Sequence, residues 1–169
     1  MFILGCIGFI GSCGSIGLWL AWRIRRRPLE LRECLTMLVL LDTEIHWGAT
    51  PLPEAFLNLK ERSGSPWQGF LAELQERVQV GESAGQAWKN TIINQQQKFC
   101  LKNEDWQVIG DVGKGLGRSD RQQQHKQLEL VQHQLVILKE QAAIWAEKKA
   151  KMWSYLGFIV GIAGVIFLY

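Results

Sequence analysis

The sequence predicts an all-α protein: a six-helix bundle on the cytoplasmic face of a membrane, flanked by an N-terminal and a C-terminal transmembrane helix. Three observations carry this. Charged side chains are absent from both ends of the chain and crowded into its middle. The apolar residues of the middle recur at intervals of three and four, the period of a helix face, and strand signals are slight, limited to Val78-x-Val80 and Val108-Ile109. Residues suited to helix ends (Ser, Thr, Asn, Pro and Gly) punctuate that pattern.

The ends come first. Residues 2–22 contain no Asp, Glu, Lys, Arg or His, nor do residues 152–169, so all 19 basic and all 16 acidic side chains lie between them. About 20 helical residues at about 1.5 Å each span the roughly 30 Å hydrocarbon core. The first stretch has that length. The second is near the lower limit, and Lys151 can extend it by snorkelling. A signal peptide would carry a basic start, a shorter apolar core and a small-residue cleavage site. Here no Lys or Arg precedes the apolar run, which closes on Trp19 and Trp22 and then on Arg23, Arg25, Arg26 and Arg27. It reads as an uncleaved anchor. For the second stretch a buried helix is the alternative, and the adjoining Lys148, Lys149 and Lys151 favour the membrane. The expected organisation is a membrane helix at 1–22, a cytoplasmic six-helix domain at 23–151 and a membrane helix at 152–169.

Both basic clusters face the central segment, which the positive-inside rule places in the cytoplasm. Without those seven cations the domain keeps 12 basic against 16 acidic side chains, about −4. The overall charge of +3 therefore belongs to the flanks, where it suits anionic lipid headgroups. An acidic domain does not suit nucleic acid. The four cysteines (Cys6, Cys13, Cys34, Cys100) form no C-x-x-C and no zinc spacing, as expected of reduced thiols.

The middle reads as helices in order. After Pro28 the first carries Leu31, Leu35, Leu38, Leu41 and Ile45 on one face and ends with Gly48 at the C′ position. Thr50 is expected to cap the second, with Pro51 at N1 and Leu52, Ala55, Phe56 and Leu59 inside. Ser65, Pro66 and Gln68 have the capping-box pattern for the third, whose stripe is Trp67, Phe70, Leu71, Leu74 and Val78. Ser83 with Gln86 opens the fourth (Ala84, Ala87, Trp88, Thr91, Ile92). Asn103 opens the fifth (Trp106, Ile109, Val112 or Gly113, Leu116), with Glu104 and Asp105 in its first turn complementing the dipole. Ser119 with Gln122 opens the sixth and longest, whose seam is Leu128, Val131, Leu135, Leu138, Ala142 and Trp145. Nothing stops that helix before Lys151, so it is free to continue into the second membrane stretch.

No catalytic chemistry emerges. The glycines between Gly110 and Gly117 miss the phosphate-loop pattern: Val108 stands where its first Gly belongs and Gly115 where Ser or Thr belongs. They suit a tight corner and close helix approach instead. His46, His125 and His133 lack partners at metal-ligand spacing, and Ser63, Ser65, Ser83 and Ser119 read as helix caps rather than nucleophiles. No cofactor or metal is expected. Trp67, Trp88, Trp106 and Trp145 read as core, Trp19, Trp22 and Trp153 as interfacial, and Trp47 as either core or a partner contact. The pairs Gly157/Gly161, Gly8/Ser12 and Gly11/Ser15 have the spacing of close-packed membrane helices.

Several segments carry a resemblance. The run from Glu44 to Ala55 resembles the E-I-x-Y-G-x-T-P-L-x-E-A segment of the stage III sporulation protein AB family. Leu116-Gly117-Arg118-Ser119-Asp120-Arg121 followed by Gln124 is similar to that family's L-G-x-x-D-x-x-x-Q segment. Arg27-Pro28-Leu29-Glu30-Leu31-Arg32 and Lys151-Met152-x-x-x-Leu156-Gly157 also match, so the anchors run in order across nearly the whole chain. Trp47 departs from the usual Tyr, keeping an aromatic ring and losing a hydroxyl.

The resemblance implies a protein of endospore-forming bacteria and a part of the channel complex between mother cell and forespore. It implies a soluble domain similar to a cytoplasmic domain of protein F of the type II secretion system. It further implies a membrane platform that docks a cytoplasmic secretion-type ATPase, itself resembling stage III sporulation protein AA, and ring-forming sister proteins, with self-association open. By the same analogy it sits in the outer forespore membrane with the domain in the mother-cell cytoplasm. Glu44, Trp47 and Glu54 at one corner and Asp120, Arg121 and Gln124 at another are the candidate partner contacts, and Gly48, Thr50, Pro51 and Gly117 shape those corners. Internal capping and ion pairing is the alternative for the same residues. A membrane-tethered enzyme and a lipid-surface binding module are the competing functions. The first needs convergent titratable groups in a pocket and the second a basic domain face.

Overall fold

Among the described residues six α-helices make up most of the backbone: α1 (Phe2–His46), α2 (Leu52–Arg62), α3 (Trp67–Gln79), α4 (Ala84–Gln95), α5 (Asn103–Gly115) and α6 (Arg121–Leu168), with one 3₁₀ turn at Gln96–Lys98. The structure, a computed structural model, describes residues 2–117 and 120–168, and in the stretches 1–22 and 150–168 it describes side chains only at Trp19, Trp22, Lys151, Met152, Tyr155 and Ile159. Among the described residues there is no strand. The chain divides into two compact units, residues 29–139 and residues 1–28 with 140–169.

Among the described residues no helix is long and apolar enough to cross a membrane. Most of the two stretches expected to do so lies outside the described side chains, as do Cys6, Cys13, Trp153, the Gly/Ser pairs and the Ser119 cap. The backbone of both stretches is helical. Pro28 does not begin a new helix: it lies inside α1, which runs unbroken past it. Proline removes one N–H and one i→i−4 bond, and the turns on either side carry the helix through.

In the unit spanning residues 29–139, α2 packs on α3, α3 on α4 and α4 on α5. The core stripe of α1 is Leu31, Cys34, Leu38, Leu41 and Ile45, with Met37 beside it, and Leu35 is only half-buried. Cys34 takes the place expected of Leu35. The choice between i+3 and i+4 after Leu31 is set by what packs against the helix, which periodicity does not specify. Trp67, Phe70, Trp88, Phe99 and Trp106 form an aromatic cluster with ring centroids 4.6–6.1 Å apart. Its two innermost indoles are satisfied through backbone: Trp67 Nε1–H donates to the Glu30 carbonyl (3.0 Å) and Trp88 Nε1–H to the Ile109 carbonyl (2.9 Å).

Four helix starts differ from expectation. The α2 helix begins at Leu52, and Thr50 does not cap it. The α3 helix begins at Trp67, after a cis Ser65–Pro66 bond, and Gln68 N–H donates to the Gly64 carbonyl with no side-chain cap. Ser83 stands at the N-cap of α4 as expected but makes no cap bond, and the Gln86 amide donates to Asn90 instead. The α5 helix starts at Asn103 itself; its first turn is fixed by Asp105, whose buried carboxylate accepts the Lys102 N–H (2.8 Å). Residue type predicted that helices start here. The hydrogen bonds chosen depend on ψ at the junction, which neighbouring helices impose.

Trp145 is a further correction. It was expected on the seam of α6 but is 44% exposed, while Ala142 and Ala146 are buried. A 3.5-residue seam drifts about 20° per heptad from a straight helix, so after two heptads the buried position slips by one residue.

Candidate functional site

The two segments singled out in sequence come together at one corner of the 29–139 unit. At the end of α1 the N–H groups of Trp47 and Gly48 both donate to the Thr43 carbonyl (3.0 Å each), and Thr50 N–H returns to the Glu44 carbonyl (3.0 Å). The residue in the left-handed region is Ala49 (φ 51°), not Gly48. Gly48 is needed for space: a β-carbon there would lie 2.9 Å from the Glu44 carbonyl oxygen and 2.9 Å from Thr50 Oγ1. That hydroxyl donates to Glu44 Oε2 (2.9 Å), tying the corner across six residues. The Pro51 carbonyl then accepts from Glu54 and Ala55 (3.0 and 2.9 Å) and opens α2.

The α5–α6 corner lies against this one. Gly117 adopts φ +74°, and a β-carbon there would sit 3.8 Å from Leu52 Cδ1 and 3.6 Å from the Ala84 β-carbon. So Gly117 meets the first residue of α2 and the first residue of α4. Behind it α4 and α5 touch backbone to backbone: a methyl on Gly85 would overlap the Gly113 carbonyl oxygen. This is the close approach that the glycine-rich run suggested. Asp120 Oδ1 accepts the Arg121 N–H (2.8 Å), and its carbonyl accepts Gln124 N–H (2.9 Å) as α6 begins.

One turn further on, α6 is pinned to α1. His125 Nδ1 lies 2.8 Å from both oxygens of Asp42. The His125 ring stacks on His46 (4.4 Å, 21°), and His46 meets Trp47 edge to face (5.1 Å, 88°). Among the described residues His46 Nδ1 is buried with no hydrogen-bond partner. The hydrogen bond to Asp42 raises the His125 pKa above the usual histidine value; desolvation opposes this, and the charges of Asp42 and Glu129 add to it.

The candidate contacts divide by exposure. Trp47 (79% exposed), Glu54, Asp120 and Arg121 stand in solvent, as does Pro51. Glu44 is half-buried and engaged with Thr50. Gln124 is buried and so faces the interior of the unit. Of the lipid-flanking residues, Arg23, Arg25, Lys148 and Lys151 are exposed, Arg26 and Lys149 are half-buried, and Arg27 is buried. Arg23 lies over the Trp19 ring (5.7 Å), Arg26 over Trp22 (4.8 Å) and Lys149 over Trp145 (5.8 Å).

Sequence reasoning missed the Asp42–His125–His46 chain, since its members are 83 residues apart and unremarkable in pattern. It also missed two carboxylate anchors, one buried and one half-buried. Glu30 is 2% exposed and accepts the Cys100 N–H (2.6 Å). Glu73 bridges α3 to α4 through Gln95 and Asn94 and pairs with Arg77. Burial alone would raise the Glu73 pKa, but hydrogen bonds from Gln95, Asn94 and Arg77 outweigh it and hold the carboxyl below its usual range. An isolated Glu on an otherwise apolar helix face, as at Glu30, was the available signal. Among the described residues no three His, Cys, Asp or Glu side chains gather as metal ligands. The groove between α4 and α5, about 570 Å³, is lined mainly by glycines, isoleucines and lysines, with Trp106 among its walls.

Comparison with known proteins agrees over the full length. The chain is 26% identical over 167 residues to stage III sporulation protein AB of Bacillus subtilis (strain 168), covering 98% of each chain. A solved structure of stage III sporulation protein AB superposes with a TM-score of 0.67 at 25% identity, covering 71% of this chain and 95% of that one. The description of the stage III sporulation protein AB family matches residues 2–169, and this chain belongs to that family.

Proposed function

We propose that this protein is a non-enzymatic membrane scaffold of the channel between mother cell and forespore, and that its helical domain docks a cytoplasmic secretion-type ATPase through the corner around Trp47 and Arg121. The observation that carries this is convergence. The two segments that most resemble the family sit on a single corner, and there they present Trp47, Glu54, Asp120 and Arg121 to solvent rather than to each other's core. Membrane anchoring by both ends is supported by two charge-free helical stretches, each bordered by cations. The domain then works mechanically: it receives or resists motion of the ATPase and passes force along α1 and α6 to the membrane. Ring-forming sister proteins and further copies of this chain are the other partners of such a platform.

The test is site-specific photo-crosslinking in membranes of sporulating cells, with probes at Glu54 and Arg121 and a control probe at exposed Lys98. Adducts with the ATPase from the first two and not from the third are expected. If both corner probes label only lipid or nothing while the protein is present and folded, docking through this corner is wrong.

A further inference from the structure

We propose that Trp47 is a platform for a cationic side chain, arginine or lysine, of the docking partner, with Glu44, Glu54 and Asp120 supplying the negative potential around it. This rests on the reading that the corner is a docking surface, and it specifies the chemistry of what docks.

Four tryptophans with described side chains are exposed: Trp19, Trp22, Trp47 and Trp145. Three of them lie beneath a cation of their own chain, Arg23, Arg26 and Lys149 respectively. Trp47 is the most exposed of the four, at 79%, and its ring contact among the described residues is the His46 edge. The ring is also held in place. His46 is itself clamped by the stacked His125, which Asp42 holds by a hydrogen bond. A positioned indole face loses little freedom when a partner lands on it, and indole is the strongest of the aromatic cation acceptors.

Charge selects the partner. Among the described residues, the two segments that meet at the corner carry the carboxylates of Glu44, Glu54 and Asp120 and the guanidinium of Arg121. Asp42 is already engaged with His125 and is left out of that balance. The surplus is negative, so a cation is drawn to the same place where the indole offers its face. A purely apolar partner would have to strip water from those carboxylates without pairing them, which is costly. A large exposed tryptophan in charged surroundings is also the composition of an interface anchor.

The experiment uses the full chain, labelled with ¹⁵N at the indole nitrogens, in detergent micelles. Trp47 is assigned as the indole signal absent from Trp47→Leu. The probes are acetyl-Arg-Gly-Arg-amide and the same peptide with citrulline, which keeps the shape and loses the charge. The Trp47 signal is expected to move with the arginine peptide in the millimolar range, to return on adding salt, and to move far less with citrulline. Glu54→Gln is expected to weaken the effect by up to about fivefold, the range of an exposed ion pair. A Trp47 signal that stays still, or that moves equally with both peptides, overturns the proposal. The two failures are distinguishable. Crosslinking to the ATPase with equal citrulline response keeps the docking surface and removes the cation platform. An arginine-specific shift without crosslinking keeps the platform and removes that partner.

Discussion

Asp42, near the end of α1, and His125, near the start of α6, are 83 residues apart and in contact, with His125 Nδ1 2.8 Å from each carboxylate oxygen. The bond joins the first and last helices of the 29–139 unit directly behind the exposed corner. Because the carboxylate favours the imidazolium, folding raises the His125 pKa above its ordinary 6.5. A raised folded pKa stabilises the protein fully below the unfolded value and progressively less as pH climbs through the folded one. The melting temperature is therefore expected to fall as pH rises above the ordinary histidine value of 6.5, and Asp42→Asn is expected to flatten that part of the profile. An NMR titration of the His125 ring checks it: titration at the same pH with and without the Asp42 carboxylate would sink the assignment.

Gly85→Ala is expected to destabilise the chain by about 1–3 kcal/mol or more, because the new methyl meets the Gly113 backbone rather than a side chain that can turn away. Gly110→Ala is the opposite case. It lies within α5 with nothing within 4 Å of the added methyl, so a gain of about 0.5–1 kcal/mol is expected from helix propensity. Denaturant melts of the two variants side by side test the pair. Equal effects would mean that α4 and α5 do not touch at these glycines.

Thr50→Val keeps the shape of the residue and removes the hydroxyl that bonds Glu44. A loss of about 1–3 kcal/mol is expected, since the acceptor is a carboxylate in a half-buried setting. Thr50→Ser should retain most of the stability. If the valine variant melts with the parent, Glu44 is held by other contacts.

Cys34 is fully buried, and burial first, then the charge of Asp105, pushes its thiol pKa up. Cys100 is half-buried. Thiolate is the reacting form, so alkylation of the native chain, mapped by peptide mass, should mark Cys100 well before Cys34. Cys34 should become reactive only in denaturant. Equal native labelling would contradict the packing of α1.

Much of this was legible in sequence. The apolar stripes located all six helices, and the Gly/Ser/Pro punctuation located the breaks between them, because helix period and turn chemistry are local properties. The corner was legible as a motif, and its Gly117 takes a positive φ. Other details were not. Gly48 was expected to take the left-handed conformation that Ala49 takes, and Thr50 to cap the helix whose predecessor it ties down through Glu44. Each of these turns on which of two adjacent residues bends, and a turn is bent by the elements at its ends.

By itself, the sequence determined that the chain is helical, where charge is excluded from it, and which residues mark its family. Only the tertiary structure decided that Gly117 would meet Leu52, that His125 would find Asp42, and that Trp47 would stand exposed while Gln124 was buried. The reason is range. Helix period, capping chemistry and charge act over a few residues, whereas contacts between residues dozens of positions apart depend on how whole helices pack, and that is settled by the summed burial of every stripe at once.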